Sequence, residues 1–439
     1  MATALADSDN PKMEANAPGY DSCDIEKKPP LDAAKEPAEE HDFPEGGTRA
    51  WMVAAGTAGI MFSTMGLSNA FGVFQASYMA HQLKHKSSDD IAWIGSVQAF
   101  LLLASGAVGG PLFDRFGATV IRPAAILYVF AIMMTSICRE YYQFMLAQGV
   151  LMGLSMGMLM FPSMAALPQY FHKKRGGAMG IAIAGSSLGG VIFPIALGKM
   201  LNSSSDLSFG WAVRIIGFVV LPVLTFSCVS IKARFPPRAS KFFLPSAFRM
   251  TMYDLLIVAM FFLFIGMFVP LFFLPTYAIT RGMSSTLSSY IVAIFNAGSI
   301  FGRILPGILA DKFGRLNMLM LAGVTSGILA FVWNSVIGTA GMIVYSLILG
   351  FTSGAIISGS SVAVSICAKD PRNIGTLMGQ GMALASISTL VGPPVSGALY
   401  DRFGGFFEIS MFAGSFCMFG SLLLVLVKHF TAEGVFGRV

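Results

Sequence analysis

The chain has 439 residues, of which 55% are hydrophobic and 12% charged, and its mean hydropathy is +0.69. A soluble domain carries about 25% charged residues; half that density excludes a soluble enzyme or a nucleic-acid-binding domain, and five cysteines in this length exclude a disulfide scaffold. The net charge of +6 divides unevenly: residues 1–48 hold twelve Asp/Glu and four Lys, whereas the rest holds eleven Asp/Glu and twenty-five Lys/Arg.

In chain order, residues 1–48 read as a disordered acidic tail, rich in Pro, Glu, Asp and Ala. The tail has no apolar core of a signal peptide, so the first membrane span is expected to act as an uncleaved signal. Apolar runs follow at roughly 51–79, 91–112, 121–138, 142–170, 177–201, 212–231, 254–279, 287–310, 317–333, 339–366, 374–399 and 407–427. Each is close to the ~20 residues that cross a bilayer. The expected fold is an all-α membrane protein of twelve transmembrane helices in two six-helix bundles, 49–231 and 254–427. A basic cytoplasmic linker (232–253) joins them, and a short cytoplasmic tail (428–439) ends the chain.

With the N-terminus inside, the inner loops and C-terminal tail hold sixteen Lys/Arg and the outer loops six. That bias predicts both termini in the cytoplasm. The sequon at Asn202 falls on the expected outer side, close to the membrane, and is a weak glycosylation candidate.

The two bundles repeat. Gly110-Pro-Leu-Phe-Asp114-Arg115-Phe-Gly117 recurs 197 residues later as Gly307-Ile-Leu-Ala-Asp311-Lys312-Phe-Gly314, and Gly153-Leu-Ser-Met-Gly157 recurs at the same offset as Gly350-Phe-Thr-Ser-Gly354. Duplicated halves with a site near the midplane between them are the plan of secondary transporters. In the repeated motif, the glycines permit close helix approach. The Asp can accept from a neighbouring helix N-terminus, so the pair reads as a clamp on the inner mouth. The candidate gating residues are Gly110, Asp114, Arg115, Gly117 and Arg122 in the first half, and Gly307, Asp311, Lys312, Gly314 and Arg315 in the second.

This motif resembles the signature loop of the major facilitator superfamily. Pro44-Glu45-Gly46-Gly47-Thr48-Arg49-Ala50-Trp51, Ser68 to Gln75, Tyr170 to Ala178, Ala184 to Gly190 and Asn296 to Arg303 are similar to the fungal type of monocarboxylate porter. The resemblance covers residues 44 to about 404 and implies alternating access. Animal lactate-type members carry a Lys in span one, and an Asp with an Arg four residues later in span eight. The resemblance places Asn69, Ser299 and Arg303 at those positions, so only the Arg is kept.

Arg303 is the one charge well inside a span, where an ionisable group is costly and functional by default; its planar fork suits a carboxylate. The candidate substrate-binding set is Arg303, Asn69, Asn296, Ser299, Gln75, Tyr277, Phe273 and Gln380. Asn296 lies two turns from Arg303, and Phe273, Tyr277 and Gln380 could wall a pocket. Pro162, Pro194, Pro270, Pro275 and Pro393-Pro394 are expected to kink helices. No carboxylate falls mid-span, which leaves three possibilities open: uncoupled transport, a proton carried on a weak-acid substrate, or a titrating group near a mouth.

The expected function is secondary active or facilitative transport of a small organic anion or related metabolite. The alternatives are efflux of a fungal secondary metabolite, uptake of a riboflavin-like vitamin, and, in a different class, a non-transporting nutrient sensor. No enzyme motif, cofactor or metal site is expected. The expected partners are a small-molecule substrate and the lipid bilayer, with protons left open and no nucleic acid. The expected setting is a monomer in the plasma membrane.

Overall fold

The computed structural model describes residues 46–202, 207–235, 243–368, 373–431, 433–434 and 437. The acidic tail before Gly46, part of the 232–253 linker, and Ser203 and Ser204 of the sequon lie outside them. Among the described residues every regular element is a helix. Eleven apolar runs are long enough to cross a membrane. One of these, Asp90–Thr135, has 46 residues, about 69 Å at 1.5 Å per residue and so twice a hydrocarbon core of ~30 Å. It turns at Gly117, whose φ of 66° ends one helix before the next begins, so the eleven runs resolve into twelve helices among the described residues.

These are α1 (Gly47–Gln82), α2 (88–116), α3 (Ile121–Thr135), α4 (Tyr141–Gln169), α5 (Arg175–Asn202) and α6 (Phe209–Ser230), followed by α7 (Thr251–Thr280), α8 (Ser285–Phe313), α9 (Arg315–Val332), α10 (Gly338–Val364), α11 (374–403) and α12 (Phe407–His429). Polar residues set several starts: Ser87 and Asp90 form a reciprocal capping box on α2, and Ser284 accepts from Leu287 N on α8.

Burial sorts the helices. α3, α6, α9 and α12 expose Ile126, Phe130, Phe218, Val229, Leu321, Ile328 and Leu422. In water that surface would aggregate; in lipid it is solvated, and the backbone is satisfied within each helix. The first and last six helices meet along two seams, α2 with α11 and α5 with α8.

Glycine makes those seams possible. A Cβ on Gly110 would lie 2.0 Å from Gly375 O, one on Gly379 1.9 Å from Gly106 O, one on Gly307 2.7 Å from Gly176 O, and one on Gly180 2.3 Å from Arg303 O. Inside the second half, a Cβ on Gly302 of α8 would sit 1.9 Å from Phe351 O of α10. Backbone cannot yield as a flexible side chain can, so Gly302→Val should prevent the protein from accumulating in membranes. Gly397→Ala, whose Cβ would meet nothing within 4 Å, should leave the amount unchanged on an immunoblot.

The helices run through Pro162, Pro194, Pro270 and Pro275. Breaks fall instead at Thr64 in α1, Ser105 in α2 and Ser386 in α11. Each of these hydroxyls donates back to a carbonyl one turn earlier: Thr64 to Ile60 O at 2.7 Å, Ser105 to Leu102 O at 3.1 Å and Ser386 to Ala383 O at 2.6 Å. Back-bonding of this kind bends helices. The side chains of Pro393 and Pro394 lie outside the described set.

Candidate functional site

The repeated motif forms a double clamp at one end of the bundle. Asp114 ends α2, and its Oδ2 accepts from Thr376 N at 2.9 Å and Thr376 Oγ1 at 2.6 Å, at the start of α11. Asp311 ends α8 and accepts from Gly176 N and Gly177 N, both at 2.9 Å, at the start of α5. Each carboxylate therefore sits on a helix N-terminus of the opposite half, where aligned peptide dipoles and unsatisfied N–H groups favour an anion. Gly110 and Gly307 let the helices close to that range, and Gly117 and Gly314 take positive φ to turn the chain away.

The basic members of the motif are more peripheral. Arg122 and Lys312 are exposed, Arg115 lies 5.5 Å from the Phe116 ring, and Arg315 Nη2 donates to His172 O at 3.1 Å. A further cross-half contact involves Arg175, which is buried and donates to Phe171 O and to Ser365 Oγ of the segment after α10. Arg175 had been legible only as one member of a basic loop.

Near the centre lies a small cavity of about 40 Å³, lined by five methionines (Met61, Met65, Met160, Met164 and Met382) together with Phe264, Phe268 and Ile183. Its walls follow the internal repeat. Met160 and Met164 face Ile357 and Ser361, each 197 positions on. Unbranched, polarizable thioethers let such a lining reshape around different apolar ligands.

Arg303 is buried beside this cavity. Its Nη1 donates across the seam to Ile183 O at 2.9 Å and to Ser186 Oγ, both on α5, and Nε has no partner among the described residues. The equivalent position in the first half, 197 residues earlier, is Gly106. One seam thus carries a cation where the other carries no side chain at all.

Asn69 and Asn296 meet: Asn69 Nδ2 donates to Asn296 Oδ1 at 3.4 Å, and Asn296 Nδ2 donates to Val292 O at 2.9 Å. A Cβ on Gly190 of α5 would lie 2.7 Å from both amides. Beyond this bridge, at the end away from the clamp, is a cavity of about 800 Å³ between α1, α5, α7 and α8. Asn69 contributes to its lining; Asn296, Ser299 and Arg303 do not.

The remaining candidates lie elsewhere. Ser299 is fully buried, against Gly354 of α10. Gln75 is half-buried. Gln380 is buried with neither amide atom bonded among the described residues. Phe273 and Tyr277 sit in an aromatic cluster with Trp333, Tyr400 and Phe406. The Tyr277 hydroxyl donates to Trp333 O or Val336 O, at 3.1 and 3.3 Å. Phe74 and Tyr78 build the matching cluster in the first half with Phe144 and Phe209. These rings fasten helix ends, and none of Gln75, Ser299, Gln380, Phe273 and Tyr277 lines either cavity. Among the described residues no group of three or more His, Cys, Asp or Glu could hold a metal ion.

Known proteins resemble this chain in sequence and in fold. The sequence profile described as Major Facilitator Superfamily matches residues 56–380 and 256–435. The aspyridones efflux protein apdF of Emericella nidulans is 51% identical over 398 residues, covering 90% of this chain and 81% of that protein. The agnestins efflux protein AgnL12 of Paecilomyces divaricatus is 39% identical, covering 87% of each chain. Among solved structures, the human organic anion transporter MFSD10 superposes with a TM-score of 0.69 at 16% identity over 86% of this chain and 98% of that one. The E. coli fucose:proton symporter FucP gives 0.68 at 11% identity over 86% and 99%. At those identities the structures attest the fold, and the sequence relatives attest the family. The chain belongs to the Major Facilitator Superfamily and is a multi-pass membrane transporter.

Proposed function

We propose that the protein exports an amphipathic secondary metabolite across the plasma membrane of a fungus, with the clamp end and both termini in the cytoplasm. The observation that carries this reading is the central cavity. Its methionine-and-phenylalanine lining, next to one buried guanidinium, is chemically matched to a cargo with a large apolar body and an acidic group, which enters only when the halves part and the cavity, about 40 Å³ with the clamp closed, widens. It suits a small hydrophilic acid such as lactate less well, in keeping with Asn69 and Ser299 at the positions where lactate-type porters carry ions. The efflux proteins of Emericella nidulans and Paecilomyces divaricatus support the direction. The stretches from Ser68 to Gln75 and Asn296 to Arg303 support a place in the fungal monocarboxylate-porter branch.

Export predicts that disrupting the gene raises the intracellular level of one acidic, apolar metabolite and lowers it in the medium, by mass spectrometry of both fractions. An unchanged partition of every such metabolite, or depletion inside the cell, would overturn export; the latter would favour uptake.

A further inference from the structure

We propose that the outer cavity is a second station for the cargo, one that receives the anionic head of an amphipathic molecule. In this proposal, the Asn69–Asn296 bridge seated on Gly190 partitions that station from the central cavity. The inference deepens the export reading and rests on it for the identity of the cargo.

Volume is the first argument. Ligand sites for metabolite-sized molecules run from roughly 300 to 1,000 Å³. With the clamp closed, the central cavity has about 40 Å³, room for little more than a water molecule, whereas the outer cavity has about 800 Å³. Of these two cavities, the outer one alone has space for a cargo in this conformation.

Position is the second. On α1, Met65 lines the central cavity and Val73 the outer one, with Asn69 midway. On α5, Ile183 lines the central cavity and Pro194 the outer one, with Gly190 between them. On α8, Asn296 lies one turn from Val292 of the outer lining. On α5 the seven- and four-residue steps keep the series on one helix face, and on α1 the chain turns at Asn69–Ala70, at the junction of the two linings. α1 and α5 therefore place the same layer between the two cavities, and α8 brings Asn296 to it from the side of the outer lining.

Chemistry is the third. Lys199 and His81 line the outer cavity, and no carboxylate does among its described lining residues. Val73, Ala76, Ala80 and Ile195 supply an apolar wall. The lining thus combines one lysine cation and an imidazole with an apolar surface, which fits an anion with a hydrocarbon body. The bridge itself is long for a hydrogen bond at 3.4 Å, so it can open at small cost.

The test uses the full chain in lipid nanodiscs with cysteine introduced singly by Ala76→Cys or Met65→Cys. Labelling by a charged maleimide is read at each position by peptide mass spectrometry, so the native cysteines can remain. Ala76→Cys should label at least about tenfold faster than Met65→Cys, a ratio that one net hydrogen bond can set. Octanesulfonate should slow labelling at position 76 several-fold and octan-1-ol should not, and adding Lys199→Gln should remove the difference.

Adding Asn296→Ala, or Gly190→Ala, whose Cβ displaces only flexible amide ends, should raise the rate at position 65 towards that at 76. Equal rates at the two positions without these changes would overturn the partition. Equal protection by the sulfonate and the alcohol, or by neither, would overturn the anion station. The assay reads binding without export, so a chain that shows this protection yet exports no metabolite refutes the export reading alone.

Discussion

The double variant Asp114→Asn, Asp311→Asn should reach the membrane in normal amount, lose most transport, and lose protection at the two helix starts it caps. Each carboxylate accepts two hydrogen bonds across the seam. Bonds to charged groups contribute roughly 1.5–3 kcal/mol apiece. At Asp311, whose two oxygens accept one bond each, asparagine keeps one acceptor and presents an amide to the second donor; at Asp114 both bonds end on Oδ2, so asparagine keeps the acceptor and forfeits the charge, and with it the interaction with the helix dipole. Losing one such bond at Asp311 and the charge at both helix starts removes ~3 kcal/mol from the clamp-closed state, about a hundredfold in its population relative to the open one.

The direct readout is hydrogen exchange. The amides of Gly176, Gly177 and Thr376 should exchange about a hundredfold faster, and amides deep in α12 should be unaffected. Each single variant should deprotect its own helix start, Asp311→Asn more than Asp114→Asn, since Asp311 accepts from two amides through two oxygens and Asp114 through one. Unchanged exchange at Gly176 and Gly177 in Asp311→Asn would show that the carboxylate holds nothing closed.

Arg303→Gln should abolish transport without lowering the melting temperature. The guanidinium is almost wholly buried, its described bonds go to a carbonyl and a hydroxyl, and Nε has no partner among the described residues. Burying a charge without a counter-ion is costly, so a neutral side chain relieves that cost and offsets the two bonds lost. The export proposal gives this costly charge its use in another step of the cycle, contact with an acidic cargo. Thermal unfolding in detergent and uptake into proteoliposomes separate the outcomes. Full transport by the variant would remove Arg303 from the cargo path. A drop of many degrees in melting temperature would assign it to structure instead.

The twelve helices were legible because a bilayer forces each span to be long and apolar, and Lys/Arg-bearing loops punctuate them. The clamp carboxylates were legible because the motif occurs twice at one offset. Their partners were not: Gly176, Gly177 and Thr376 donate through backbone amides, and a backbone amide leaves no residue signature. The outer cavity was equally hidden, because its lining comes from four helices and each contributes ordinary residues such as Ala76 or Ile195. Phe273 and Tyr277 illustrate the converse. Aromatic residues near a helix end look alike whether they face a ligand or pin neighbouring helices, and only the ring contacts show that Phe273 and Tyr277, like Phe74 and Tyr78, pack on rings at the ends of other helices. The helix breaks at Thr64, Ser105 and Ser386 escaped notice for a similar reason, since a proline is a louder signal than a hydroxyl turned back on its own helix.

The substitution of Arg303 for a glycine's counterpart has a mechanical consequence. Along α2 and α11 the opposed surfaces are bare peptide, with Gly106, Gly110, Gly375 and Gly379 in register, and bare peptide can roll. Along α5 and α8 one tooth projects from the same outline and catches Ser186. Both seams are fastened at the clamp end, by Asp114 and by Asp311, but only one carries a second catch further along, so the two bearings of this repeated fold are mechanically unequal.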